Sequence, residues 1–231
     1  MKNFLVKIVF LFFPLFLFSQ EEIPLFSDAI RVNLTKYKNE SELAYKNKDF
    51  AKGRFLFDSL VKNQLSGTRF NDYSFKKING NKLKLSSIKK PIFIQTYASW
   101  CVTGKGEITA LNKLAQQHGK NVEFIVVFWD KKQNVKKIAK KFSSRITVCY
   151  AHETYKNDSY AISSLKHTLG FPTTFYLDQN KKVIDIQRNG TISSPKTIHS
   201  KAFNENYAFF KNGLNKILIG TNNPKEQIAK N

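Results

Sequence analysis

The apolar positions divide the chain into zones of different period. Residues 4–18 are almost wholly Leu, Ile, Val and Phe, broken by Lys7 and Pro14. Between 41 and 65, apolar residues recur at Leu43, Ala44, Phe50, Phe55, Leu56, Leu60 and Val61. Those mostly three- and four-residue steps predict an amphipathic helical segment. Gly53 and the Lys-Asn run before it predict a split into two helices. Ser66-Gly67 then punctuates the chain. Beyond it, short strands at 70–78 and 82–85 flank Asn79-Gly80-Asn81, a hairpin signal. Pro91 opens a strand at 92–97. A helix follows, with Ile108, Leu111, Leu114 and Ala115 on one face and Gly119 as its stop. The continuous apolar run 122–128 marks a strand buried on both faces. Strand, helix and strand in that order form a parallel βαβ unit. A helix at 135–142, a strand at 146–150 and a helix around 155–169 come next. A hairpin of 173–177 with 183–188 and a last helix at 203–219 complete the order. The predicted class is α/β: a central mixed sheet between helical layers, with an N-terminal β extension and a helical N-terminal appendage.

Composition changes this picture at the N-terminus. Lys2 and Lys7 give a basic start, the apolar stretch follows, Ser19 is small, and Gln20-Glu21-Glu22 turn polar. That is a secretory leader pattern, and the stretch is shorter than the ~20 apolar residues of a spanning helix. An uncleaved anchor is the competing reading. The expected organisation is a leader at 1–19, a helical appendage at 20–66, a main domain at 67–219 and a polar tail at 220–231. It implies an exported, periplasmic protein with no integral membrane span once the leader is removed. The 231 residues suit one domain plus appendages, since a domain takes roughly 100–200 residues.

Charge adds less. The chain has 38 Lys+Arg against 17 Asp+Glu, a formal net charge of +21. Removing the leader costs only Lys2 and Lys7. The basic residues run along the whole chain and an exported protein rarely meets nucleic acid, so a solvated basic surface is expected and no nucleic-acid partner. Two cysteines exclude a disulfide-framework fold and a Cys-based zinc ribbon.

The candidate chemistry lies in Ala98-Ser99-Trp100-Cys101-Val102-Thr103-Gly104-Lys105. This stretch joins the C-terminal end of a buried parallel strand to a helix, the end where reactive groups gather in open α/β sheets. A cysteine at a helix N-terminus meets free N–H groups and the positive dipole end, and its pKa falls. Lys105 adds a positive charge one turn on. An exposed, partly ionised Cys101 thiol is the expectation.

These residues resemble the thioredoxin superfamily, in particular its exported TlpA-like or redoxin branch, over roughly residues 67–219. Tyr97-Ala98-Ser99-Trp100-Cys101 is similar to that branch's approach to its active site. Lys105 and Glu107 match its basic and acidic positions. Gly170-Phe171-Pro172-Thr173-Thr174-Phe175 resembles its second signature, which implies a thioredoxin-like three-layer fold and a cis Pro172 facing the cysteine. The resemblance further implies a thiol-disulfide oxidoreductase without cofactor, acting on protein thiols or disulfides. The family motif is Cys-x-x-Cys, but here Gly104 holds the fourth position. The second cysteine normally resolves the mixed disulfide formed by the first.

Cys149 is the other thiol. It either resolves Cys101 from a neighbouring strand, which needs Cα atoms within about 7 Å, or is a buried inert cysteine. Trp100 either flanks the thiol or is core. Glu107 either approaches the site or only complements the helix dipole. His118, His152, His167 and His199 are scattered, and Cys149 with His152 makes two ligands, which is no metal site. The residues before Cys101 lack the Pro and Thr of peroxiredoxins, which argues against a peroxidase. Two functions follow: a single-thiol oxidoreductase using Cys101, or a redox-inactive binding module that keeps the groove beside Pro172. Monothiol metal or cluster binding is a third.

Overall fold

The computed structural model describes residues 22–101, 104–188 and 197–219. The expected leader at 1–19 and the tail at 220–231 lie outside the described residues. Helices α1 (Phe26–Lys46) and α2 (Phe50–Leu60) lead, and α2 runs on through a wide turn at Val61–Leu65. The break falls in the Lys46-Asn47-Lys48 run, as expected. Gly53 lies inside α2, where an added Cβ would come 3.0 Å from the Tyr45 ring.

Strands β1 (Ser74–Lys77) and β2 (Lys82–Lys84) form the expected hairpin. The strand predicted at 70–78 shortens to 74–77, because residues 67–70 instead bond to 181–183, with Gly67 N donating to Val183 O at 2.8 Å. Then come β3 (Ile92–Tyr97), α3 (Glu107–His118), β4 (Glu123–Phe128), α4 (Lys132–Ala139) and β5 (Ile146–Tyr150). A short turn and α5 (Ser159–Ala161), a wide turn at Ile162–Lys166 and α6 (His167–Leu169) make one irregular helical segment. Strands β6 (Thr173–Leu177) and β7 (Val183–Arg188) and helix α7 (His199–Ile219) end the described chain. Helix α4 starts three residues earlier than 135–142 predicts, and α7 four residues earlier than 203.

The strands form one seven-stranded sheet in the order β2-β1-β5-β4-β3-β6-β7. β3, β4 and β5 are parallel, while β6, β7 and the β1–β2 hairpin run antiparallel to their neighbours. The central strands β3 and β4 carry buried residues on both faces, which explains the continuous apolar run that ends in β4. On one face, Leu111, Leu114, Val135, Phe142, Phe210 and Leu214 from α3, α4, the turn after α4, and α7 cover Phe93, Phe124, Val126 and Tyr176. On the other, Phe26, Ile30, Phe57, Leu60 and Leu65 pack with Ile92, Ile94, Ile125 and Phe175. The N-terminal helices therefore share the core of the sheet. Side-chain alternation along each strand sends successive residues to opposite layers.

Phe26 ties α1 to the sheet. It is fully buried, its ring centroid lies 5.2 Å from Phe70 and 5.9 Å from Phe175, and its N–H donates to Arg69 O at 2.9 Å. The next N–H, of Ser27, would be orphaned at a helix start, but donates to Asn71 Oδ1 at 2.9 Å. Replacing Phe26 by Ala should cost roughly 3–5 kcal/mol, the cost of a buried aromatic truncation. Urea unfolding measures it. A cost near zero would show that α1 does not share the cooperative core.

Candidate functional site

The site grows from the C-terminal edges of β3 and β4. After Tyr97, the ladder continues one step, with Trp129 N donating to Tyr97 O at 2.8 Å. The chain then turns sharply: Cys101 N donates to Ala98 O at 2.9 Å, and Ser99 N donates to a carboxylate oxygen of Asp130. Ala98 and Asp130 are buried at the root of this turn. Its outer residues are Trp100, 72% exposed, and the half-buried Cys101.

The chain returns at Gly104. Gly104 N donates to Glu107 Oε2 at 2.7 Å, while Glu107 N donates back to Gly104 O at 3.1 Å. The pair closes a turn just before the helix, with the Glu107 carboxylate holding the Gly104 N–H. Glu107 is the first residue of α3 and is 4% exposed; its other oxygen accepts from Tyr97 Oη. Gly106 has φ +78°, and a Cβ there would lie 2.6 Å from Phe203 N on α7. Only glycine lets the chain enter α3 against α7. Asn206, fully buried on α7, donates to Lys105 O at 3.2 Å. The Lys105 ammonium donates to Thr197 O at 3.1 Å.

The second signature lies alongside. β6 pairs antiparallel with β3, setting Thr173 opposite Thr96, and the two residues exchange hydrogen bonds through Thr96 Oγ1. The peptide bond between Phe171 and Pro172 is cis. Trp100 meets Phe171 edge-to-face at a centroid distance of 5.6 Å, joining the two signatures across the rim. Trp100 is thus a flank of the site and not core. Trp100, Cys101 and Gly104 belong to one turn, Glu107 is buried behind it, and Phe171, next to Pro172, lies against Trp100. Lys105 starts in the same loop, but its charge is turned to Thr197.

Cys149 is elsewhere. It sits on β5 with its side chain fully buried in the layer that holds Ile125 and Val127. It is level with Val127, which is level with Thr96. Two strand spacings put it about 10 Å from Thr96, five residues short of Cys101. Both cysteines are free thiols. Burial pushes the Cys149 thiol up to about 12.

The expected lowering of the Cys101 pKa is corrected. Helix α3 begins at Glu107, so Cys101 does not sit on its N-terminus. Nearby N–H groups are taken by Asp130, Glu107 and Ala98 O. Burial raises the thiol pKa above the ordinary value, a hydrogen bond from the Ala98 backbone lowers it, and the charges of Asp130 and Glu107 raise it again. Glu107 itself is raised by burial, against the hydrogen bonds from Tyr97 and Gly104. The negative neighbours thus replace the positive dipole end that the motif suggests.

Asp130 was missed by the sequence reading. The available signal was its place just after a continuous apolar strand, at the same C-terminal sheet edge as Cys101. Among the described residues, no group of three or more His, Cys, Asp or Glu is arranged to hold a metal ion. No described helix is long and apolar enough to cross a membrane.

A mixed sheet with this order, a cysteine turn after its central parallel strand and a cis proline at the next strand define a thioredoxin-like α/β protein of the redoxin branch. Residues 66–186 match the AhpC/TSA family, and the chain belongs to it. A thioredoxin-like protein of Bacillus subtilis strain 168, YneN, is 23% identical over 121 residues, which are 52% of this chain and 69% of that one. The solution structure of a candidate protein disulfide isomerase from Bacteroides thetaiotaomicron is 20% identical with a TM-score of 0.50, covering 66% of this chain and 89% of its own. A thio-disulfide isomerase from Thermus thermophilus is 22% identical with a TM-score of 0.45, covering 62% and 95%.

Cys101 should react with iodoacetamide with a pH midpoint above that of the same cysteine in the urea-unfolded chain. Asp130→Asn should lower the folded midpoint by removing one negative neighbour. The sign follows from linkage. A thiol raised in the folded state ionises first in the unfolded one, so folding stability falls as pH climbs between the two midpoints. A folded midpoint at or below the unfolded one would overturn the electrostatic assignment.

Proposed function

We propose that this chain is a single-thiol thiol-disulfide oxidoreductase of the cell envelope, acting on disulfides or sulfenic acids of exported proteins. Cys101 is the proposed nucleophile. Its thiolate attacks a partner disulfide, forms a Cys101–partner disulfide and releases the other partner sulfur as thiolate. With a sulfenic acid, hydroxide leaves instead. An external thiol then attacks the Cys101 sulfur and releases the reduced partner, and a second external thiol frees Cys101. Those two thiols supply the two electrons.

The observation that carries this reading is the separation of the two cysteines. Cys101 is half-buried in an outer turn beside the exposed Trp100, while Cys149 is sealed in a core layer on β5, two strand spacings from the level of Thr96. Both thiols are free, and a disulfide would need their Cα atoms within roughly 7 Å. Resolution therefore falls to a thiol from outside. The Bacillus subtilis relative is described as thioredoxin-like, which agrees with this class of chemistry. The leader pattern at 1–19 supports export, with the periplasm as the proposed compartment.

One feature favours the second reading, a binding module that uses the groove beside Pro172 without turnover. Burial, Asp130 and Glu107 all disfavour the thiolate of Cys101. Insulin reduction by dithiothreitol separates the two. The mature chain should accelerate it, Cys101→Ser should abolish the acceleration, and Cys149→Ser should retain most of it. No acceleration by the wild type, with a bound peptide still protecting the Trp100 rim, would favour the binding module.

A further inference from the structure

The basic residues are less evenly spread than the whole-chain view suggests. Of the fifteen residues 131–145, seven are Lys or Arg and none is Asp or Glu. They form α4 and its flanks. Val135 is buried, and Ile138 and Ala139 pack on the core layer under α4. That burial turns Lys136, Lys137, Lys140, Lys141 and Arg145 outward, all exposed. Among the described residues, none of these five has an ion-pair partner. Lys136 and Lys140, and Lys137 and Lys141, stand one helical turn apart, where like charges repel by a few tenths of a kcal/mol per pair. The α4 face thus carries an unrelieved positive strip.

Its place matters. Helix α4 begins two residues after Asp130, whose carboxylate holds Ser99 at the root of the Cys101 turn. The strip begins about one turn into α4 and runs down the flank of the sheet toward the start of β5. We propose that α4 is a docking surface for acidic protein substrates, and that it guides their disulfides to Cys101. This inference rests on the proposed function above and adds its substrate class. A second copy of this chain is a poor occupant, since it carries the same excess of 38 basic over 17 acidic residues. A lipid surface is a weaker one. The exposed positions of α4 are Gln133, Asn134, Lys136 and Lys137, which leaves no apolar side chain to insert between acyl chains. An acidic polypeptide neutralises the strip and gains steering toward the thiol, chiefly in the association rate.

The probes are two synthetic peptides of equal length, one rich in Glu and one with Gln at the same positions, each with one cysteine activated as a 2-pyridyl disulfide. Attack by Cys101 forms the Cys101–peptide disulfide and releases 2-thiopyridone, whose absorbance gives the rate. At low ionic strength the acidic probe should react about tenfold faster than the neutral one, and salt should erase the difference. Changing Lys136, Lys137, Lys140 and Lys141 together to Gln should remove most of that ratio. The same change at Lys36, Lys46, Lys52 and Lys62, exposed on the N-terminal helices, should leave it. The neutral-probe rate should be equal in all three proteins. Equal losses in both variants would overturn the proposal, because the effect would then be the diffuse field of the whole chain. So would α4-dependent flotation with phosphatidylglycerol vesicles alongside an unchanged peptide ratio, which would assign α4 to a membrane surface. If Cys101 reacts with neither probe, the redox reading fails. Docking is then read separately from the fluorescence anisotropy of a labelled, cysteine-free Glu peptide: weaker binding by the α4 variant alone supports it, and equal binding overturns it.

Discussion

Two buried carboxylates anchor the turn that carries Cys101. Asp130 accepts from Ser99 N on the approach, and Glu107 accepts from Gly104 N on the return. A hydrogen bond to a charged group contributes roughly 1.5–3 kcal/mol, about twice a neutral one. Each carboxylate comes from a different element, β4's end and α3's start, so the turn is tied to both. Neither element can shift without disturbing the cysteine. Gly106 extends this constraint to α7, because its bare Cα is what lets α3 start against Phe203.

The same two groups set the electrostatics. Backbone N–H groups that would otherwise stabilise a thiolate are occupied by carboxylate oxygens, and the carboxylates add their own charge beneath the sulfur. A thiol made harder to ionise is a stronger nucleophile once ionised, and a poorer leaving group. On the proposed reading, a mixed disulfide on Cys101 would be slow to collapse by expelling Cys101, and an incoming thiol would expel the partner instead.

Much of the architecture was legible in the chain. The runs at 92–97, 146–150, 173–177 and 183–188 coincide with β3, β5, β6 and β7, because β-branched and aromatic residues fill them and turn residues mark their ends. The strand at 70–78 was overextended, since residues 67–70 satisfy their backbone by pairing with 181–183, a long-range partner that no local pattern announces. The site was legible as residue types and not as electrostatics. Cys101, Glu107 and Pro172 carry a family signature that can be read in order. Asp130 acts from 29 residues away in sequence, through a pairing that only the folded β3–β4 ladder creates. The helix start at Glu107 was also hidden, because it depends on Gly106 lying against α7.

The molecule is therefore electrostatically polarised about its thiol. Negative charge lies beneath Cys101, inside the protein, while the flank along α4 is positive and open to solvent. The two fields act at different ranges. The buried carboxylates are close, poorly screened, and oppose ionisation of the sulfur. The exposed lysines act over roughly a Debye length, about 8–10 Å at physiological salt, and govern what arrives. Moderate salt thus weakens the outer field while leaving the inner one nearly intact. Encounter and chemistry on one cysteine can in this way be tuned by separate residues, with Asp130 at the hinge between them: its side chain holds the Cys101 turn, and its backbone leads directly into the basic helix.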